Sequence, residues 1–316
     1  VRCRLCDAPV EPYTSNLYVL DGEHFDLVRC SRCGVVFVDP FPDLKRIEAL
    51  YNDEYFRRDY SFGIVEGDYL ASEAVREGEY RRILSRIARL TDGRSLLEIG
   101  CAAGAFLKEA RSQGWNVVGV DISPWAVKTA RDRFDLDVRQ GKLIEQNFPA
   151  ANFDAVFFGD LLEHLPDPIG FLNEVKRVVK SRDNGGVVVA KVPTYVNSFY
   201  YRFLRKIANY TGLNRRSSTM SQLLKLNDSA PQLPPYHLFE YNPSCVRWLF
   251  GKAGLEVFDE ERTLMIPEFL QTRPGAWSRL WLAALGVTGF FIESLRLPGG
   301  HVVIYAGSSR KGAGTR

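Results

Sequence analysis

Apolar and polar positions change their rhythm three times along the chain. Near the start, Tyr18-Val19-Leu20 and Phe25-Asp26-Leu27-Val28 flank Asp21-Gly22, which predicts a β-hairpin, and Val35-Val36-Phe37-Val38 reads as a further strand after Gly34. Residues 39–75 show no clean period. Pro40 and Pro42 break them, and Tyr51, Tyr55, Phe56, Tyr60 and Phe62 crowd them, the pattern of a partly helical connector. Those aromatics are expected to pack, although such a connector can also cover a ligand. Tyr80, Ile83, Leu84, Ile87 and Leu90 then recur at helical spacing, and Thr91-Asp92-Gly93 ends that helix.

From Ser95 short apolar strands alternate with helices, the signature of a parallel α/β sheet. The predicted strands are 95–99, 116–121, 154–158, 187–192, 255–258 and 301–305. Ser123 with Pro124, and Asn242 with Pro243, place a capping side chain and a first-turn proline at two helix starts. Residues 194–236 interrupt the alternation and predict a cap. Trp277 to Leu295 is apolar with few charges and reads as a buried helix pair, with an interfacial membrane contact or a dimer seam as the alternatives. The expected division is a ribbon at 1–40, a connector at 41–92 and a core at 93–310, the core interrupted by the cap and by an apolar insertion at 265–299.

A length of 316 residues suits two units, and 46% hydrophobic with 25% charged residues excludes wholesale disorder. A net charge of +3 argues against nucleic-acid binding through bulk charge. The longest uncharged apolar stretch, Leu280 to Ile292, is too short to span a bilayer, and no secretory signal opens the chain, so a cytoplasmic enzyme is expected. Charge is uneven in one place: within 194–236, Arg202, Arg205, Lys206, Arg215, Arg216 and Lys225 face a single acid, Asp228. Such a cluster reads either as a solvated helix face or as a site for anionic groups, such as the diphosphate of a nucleotide-linked sugar.

Two knuckles, Cys3-x-x-Cys6 and Cys30-x-x-Cys33, offer four thiolates with room for a hairpin between them. This is the donor set of a zinc ribbon, and four thiolates leave no open position for chemistry, so the Zn²⁺ is expected to be structural. In the core, Gly100-Cys101-Ala102-Ala103-Gly104 turns the first strand into a helix, and Asp121 ends the second strand. A glycine there lets a ligand approach the backbone, and an acid at the neighbouring tip can accept both hydroxyls of a ribose. Ala102 stands where a dinucleotide fingerprint needs its central glycine, so a dinucleotide does not fit.

The blocks 97–104 and Gly119-Val120-Asp121-Ile122-Ser123 resemble the first two motifs of class I S-adenosylmethionine (SAM)-dependent methyltransferases. Phe153-Asp154-Ala155-Val156 through Gly159-Asp160-Leu161-Leu162-Glu163-His164-Leu165 looks like their fourth-strand motif, and Tyr236-His237-Leu238-Phe239-Glu240-Tyr241-Asn242-Pro243 resembles the segment before a later helix. The resemblance implies a Rossmann-like α/β sheet, mostly parallel with an antiparallel last strand, behind a small zinc-ribbon domain. It also implies roles. Glu98, Gly100, Cys101 and Gly104 would cradle the methionine part of SAM, Asp121 the ribose and Ile122 one face of adenine. Gly159 and Asp160 would line the pocket near the transferable methyl. His237 would act as base or acceptor contact beside Tyr236 and Glu240, and His164 as a second base candidate or an orienting residue for Pro166-Asp167-Pro168. A four-cysteine ribbon before such a core resembles sugar C-methyltransferases. The expected acceptor is therefore a small molecule, a saccharide or nucleotide-linked sugar, methylated on oxygen or carbon. An RNA methyltransferase and a non-catalytic scaffold are the alternatives.

Overall fold

The protein is described by a computed structural model covering residues 1–51, 55–56, 76–197, 199–211, 225, 234–263 and 300–308. The apolar insertion expected at 265–299, with its proposed 277–295 contact, and much of the cap lie outside the described residues. Among the described residues no helix is long and apolar enough to cross a membrane.

The N-terminal hairpin forms as its pattern predicts. Strand β1 (Val10–Leu20) pairs antiparallel with β2 (Glu23–Cys30) through a turn in which Asp21 and Gly22 both take positive φ, and β2 pairs with β3 (Val36–Asp39). This matches the two-residue turn that follows the natural strand twist. The short helix α1 (Leu44–Ala49) and the 14-residue helix α2 (Glu77–Leu90) follow. Helix α2 buries Ile83, Leu84 and Ile87 and ends at Thr91 as expected.

The core then alternates strands and helices. These are β4 (Ser95–Ile99), α3 (Ala105–Ser112), β5 (Asn116–Asp121), α4 (Pro124–Phe134), β6 (Val138–Gln140), β7 (Ala155–Gly159), α5 (Pro168–Val178) and β8 (Val187–Pro193). Helix α6 (Phe199–Thr211), strand β9 (Phe239–Glu240), helix α7 (Pro243–Lys252) and strands β10 (Glu256–Thr263) and β11 (His301–Gly307) complete it. Ser123 Oγ accepts the Ala126 N–H and Asn242 Oδ1 the Cys245 N–H, so both predicted caps form.

Seven strands lie in the order β10-β11-β8-β7-β4-β5-β6. Pairs among β4 to β8 are parallel, and β11 runs antiparallel to both β8 and β10. Helices cover both faces, which is why β8 is buried along its whole length and valine-rich. From β4 the chain proceeds outward to β5 and β6, then returns to the other side of β4 as β7. The carboxyl ends of β4 and β7 thus flank the reversal point, where open α/β sheets bind their ligands.

Strand β9 belongs to the other sheet. It extends the N-terminal strands to the order β1-β2-β3-β9, pairing Val36 with Glu240 and Phe37 with Phe239. One apolar cluster joins Phe25, Leu27 and Phe37 of the N-terminal strands to Phe239, Tyr241, Leu249 and Phe250 of the later segment. Each such side chain contributes about 1.5–3 kcal/mol by leaving water, so the two sheets are fastened by packing as well as by the ladder.

Candidate active site

The turn after β4 and the tip of β5 are locked together. Gly100, Ala102 and Gly104 take φ of +70°, +44° and +83°. The Ala102 N–H donates to Asp121 Oδ2 at 2.8 Å and the Ser123 N–H to Asp121 Oδ1 at 2.9 Å. Burial raises the Asp121 carboxyl, while these N–H donors pull it back. Each carboxylate oxygen keeps a second lone pair, so the residue fits a ribose diol with both oxygens already aimed. Ile122, half-buried, follows it, and Glu98 is buried at the end of β4.

The glycines serve packing too. A Cβ on Gly104 would lie 2.7 Å from Leu136 Cδ1, and one on Gly100 would lie 3.1 Å from Leu161 Cδ1. Cys101 turns its thiol into the core, where a Cβ on Gly119 would meet its Sγ at 2.8 Å, so toward a ligand Cys101 presents backbone.

Across the reversal point, Gly159 ends β7 and Asp160 takes φ of +51°. The Asp160 carboxylate lies 3.4 Å from Lys191 Nζ, 3.2 Å from His301 Nε2 and 3.8 Å from Arg76. Against burial, Lys191 foremost, with His301 and Arg76, holds its carboxyl well below the usual carboxylate range. Asp160 is thus tied into an ion cluster, with Glu79 as the second acid on Lys191 at 3.0 Å.

The expected acceptor residues converge. A single 3-10 turn, Leu162–His164, lies against the strand-entry segment, with the Leu238 N–H donating to the Glu163 carbonyl at 2.9 Å. His164 Nδ1 is 2.9 Å from the Tyr236 carbonyl and 2.8 Å from Tyr51 Oη. A carbonyl can only accept, so Nδ1 carries the proton and Nε2 the lone pair. His164 and His237 stand with ring centroids 4.9 Å apart. Burial and the neighbouring His237 press His164 down to about 3, so it is neutral near pH 7. His237 Nδ1 lies 3.1 Å from Glu240 Oε1, and the same oxygen is 3.1 Å from Lys225 Nζ. Burial disfavours the Glu240 charge, but Lys225 and His237 outweigh it and hold that carboxyl at about 2.

Two parts of this arrangement, Glu163 and Lys225, escaped the sequence reading. Glu163 is 1% exposed, with neither carboxylate oxygen hydrogen-bonded among the described residues, and burial together with Asp160 pushes its carboxyl well up. Lys225, assigned to a basic cluster, is buried and bonds Tyr18 Oη at 2.8 Å as well as Glu240. The connector aromatics wall the site. Tyr55 lies 5.1 Å from the Tyr236 ring and Phe56 stacks on Trp125 at 4.5 Å. They thus bridge the helix after Asp121 to the histidines.

The four N-terminal cysteines also converge. Cys3 Sγ is 3.8 Å from Cys33 Sγ and Cys6 Sγ is 3.5 Å from Cys30 Sγ, and all four sulfurs lie within 4.8 Å of one another. A tetrahedron of ~2.3 Å zinc–sulfur bonds spaces its sulfurs about 3.8 Å apart, so the donor set fits Zn²⁺. A disulfide would need about 2.05 Å.

Comparison with known proteins identifies the family. Residues 73–260, more than half of the chain, match the family model described as a methyltransferase domain. The chain belongs to this family, the class I SAM-dependent methyltransferase domains. It is 28% identical over 191 residues to a protein of Mycolicibacterium smegmatis named for SAM-dependent methyltransferase activity, covering 60% of this chain and 63% of that one. It is 34% identical over 105 residues to the 2-methyl-6-phytyl-1,4-hydroquinone methyltransferase of Synechocystis, 32% of each chain. The chain therefore spans less than two thirds of either relative. Magnesium protoporphyrin IX methyltransferase from Synechocystis shares the fold, with a TM-score of 0.52 at 12% identity, over 85% of this chain and 100% of that one.

Proposed function

We propose that the protein transfers the methyl group of SAM to a small-molecule acceptor seated beside His164 and His237, at an atom that sheds a proton. The observation that carries this is that Asp121, at the end of β5, and His164, in the turn after β7, flank β4 at the sheet's reversal point, with His237 stacked edge-on against His164, under one aromatic wall. Glu98, Gly100, Cys101 (through its backbone), Gly104, Asp121 and Ile122 would hold SAM, with Gly159 and Asp160 on its methyl side. SAM supplies an electrophilic methyl on sulfur. The chain's own work is to align the acceptor, exclude water and present lone pairs where the proton leaves. The His164 imidazole, neutral near pH 7, can do this, and Glu240 fixes the orientation of His237 while the Tyr236 carbonyl fixes that of His164. Tyr51, Tyr55 and Tyr236 supply the wall.

The acceptor class is a hydroxyl-bearing metabolite. A saccharide or nucleotide-linked sugar, the sequence expectation, remains one member of that class. Arg202 and Lys206 are exposed on α6 and support an anionic acceptor. Lys225 is turned to Glu240, and Arg205 is engaged with the Tyr13 carbonyl and Thr14 Oγ1. The hydroquinone named for one relative is another hydroxyl-bearing acceptor. Zn²⁺ in the four-cysteine cluster acts structurally.

Calorimetric titration with SAM tests the donor half of the proposal. The expected result is saturable 1:1 binding that Asp121→Ala weakens at least tenfold, about 1.4 kcal/mol or more. Unchanged affinity in Asp121→Ala would remove the ribose assignment.

A further inference from the structure

We propose that Glu163, His164 and His237 form a second metal site, distinct from the cysteine cluster, for a divalent first-row cation. The inference rests on the acceptor being placed as above, and it replaces a free imidazole base with a cation held by those imidazoles as the group that activates the acceptor. One ligand atom from each of the three residues lies within 4.8 Å of the others, and Glu163 Oε1 is 3.7 Å from His164 Nε2. Donors bound at ~2.1 Å to one ion sit about 3.0–3.4 Å apart, so small side-chain rotations close the set.

Three independent features mark it as built rather than accidental. First, each imidazole has its Nδ1 engaged by a group that orients a metal ligand's ring: the Tyr236 carbonyl for His164 and the Glu240 carboxylate for His237. The His164 ring then carries its lone pair on Nε2. Second, Glu163 is 1% exposed with neither carboxyl oxygen hydrogen-bonded among the described residues, and Oε1 faces His164 Nε2, so a cation bound between them would supply the partner this buried group lacks. Third, the backbone itself clamps the ligands together, through the Leu238 N–H on the Glu163 carbonyl. Two imidazoles and one carboxylate leave coordination positions open for an acceptor, unlike four thiolates.

The chemistry follows directly. A hydroxyl oxygen of the acceptor coordinates the cation, which lowers the O–H pKa, and the proton leaves to water. The oxygen's electron pair forms the new O–CH3 bond as the S–CH3 bond breaks, and that bond's electron pair stays on sulfur, giving S-adenosylhomocysteine. The acceptor class is thereby narrowed to compounds with an accessible, coordinating hydroxyl.

Manganese(II) is the probe, because thiolates favour softer metals and leave Mn²⁺ to nitrogen and oxygen donors. The full chain is treated with a mild chelator, then titrated with Mn²⁺ while the free-ion paramagnetic resonance signal is followed. The expected result is one Mn²⁺ bound per chain, with affinity reduced at least tenfold in Glu163→Gln and in His237→Ala. SAM affinity of Glu163→Gln should stay within threefold of wild type, which certifies its fold. Manganese uptake that survives both substitutions, or no uptake of Mn²⁺ or Co²⁺ by a chain that binds SAM, overturns the site. A chain that takes up Mn²⁺ at these residues yet binds no SAM keeps the site and removes the donor reading instead.

Discussion

Ala102 holds a left-handed backbone, φ +44°. For an L-residue that conformation costs roughly 1–2 kcal/mol, while glycine there adds about 0.5–1 kcal/mol of unfolded-state entropy to be lost. The first effect is the larger. Ala102→Gly should therefore raise stability by about 0.5 kcal/mol in thermal unfolding, with SAM affinity unchanged, because the N–H bonded to Asp121 stays in place. A decrease in stability would mean that the loop tolerates alanine without strain. Lys225 argues the opposite case. It shares an ammonium between Glu240 and Tyr18 with both ions of the pair 2% exposed, so Lys225→Met strips the main counter-ion from a buried carboxylate. Breaking one side of a buried pair costs about 3–5 kcal/mol, and pairing the change with Glu240→Gln should recover much of it in denaturant unfolding.

At the scale of elements, the base of the sheet depends on Asp154. Its carboxylate accepts from the Ser95 N–H at 3.0 Å, Ser95 Oγ at 2.6 Å and Lys180 Nζ at 2.5 Å, stapling the start of β4 to the start of β7. A Cβ on Gly93 would overlap this carboxylate, which is why the turn after α2 carries glycine. Burial raises the Asp154 carboxyl, but Lys180 and Ser95 outweigh it and leave it below the ordinary range. A depressed acid stabilises the fold above its unfolded pKa of about 3.9, and that stability disappears as pH falls through the lower folded value. Asp154→Asn should thus cost about 1–2 kcal/mol at neutral pH, reduced by Lys180 reaching water, and the gap to wild type should close below about pH 4. Most elements were legible because their signals are local: the Asp21-Gly22 turn, the Ser123 and Asn242 caps, and the apolar runs of β4 to β8. The long first half of β1 was not, since Glu11, Pro12 and Asn16 break its alternation and the ladder shifts register between Pro12 and Thr14 and between Thr14 and Tyr18. Two-residue β9 was invisible because its only reason to be extended is a partner 200 residues away. Glu163 and Lys225 were missed for a related reason: a charge becomes informative only once its burial is known.

For the whole molecule, the ladder between the N-terminal strands and the later segment lies on the acceptor side. Strand β9 hydrogen-bonds β3, which follows the second cysteine knuckle directly, and Asn242 Nδ2 donates to the Cys33 carbonyl at 2.8 Å. The same β9 supplies Glu240, which holds His237, and β1 supplies Tyr18, which holds Lys225. Among the described residues, the hydrogen bonds of Asp121, Gly100 and Gly104 stay within the turn after β4 and the helix it opens, the end of β5 with its following turn, and the segment at the end of β6. Loss of a cysteine ligand should therefore travel along β3 into β9 and reach the histidines before it reaches the SAM crevice. A structural zinc site contributes folding free energy directly, so Cys33→Ser should loosen the N-terminal strands. In Cys33→Ser, amide exchange at Phe239 and Glu240 should accelerate by at least tenfold and Mn²⁺ affinity at His164 and His237 should fall, while the SAM dissociation constant moves less than threefold. Equal losses of both ligands would mean the sheets unfold as one unit. Unchanged exchange at β9 would mean that the apolar cluster of Phe25, Phe37, Phe239 and Tyr241 holds the acceptor wall without help from the metal.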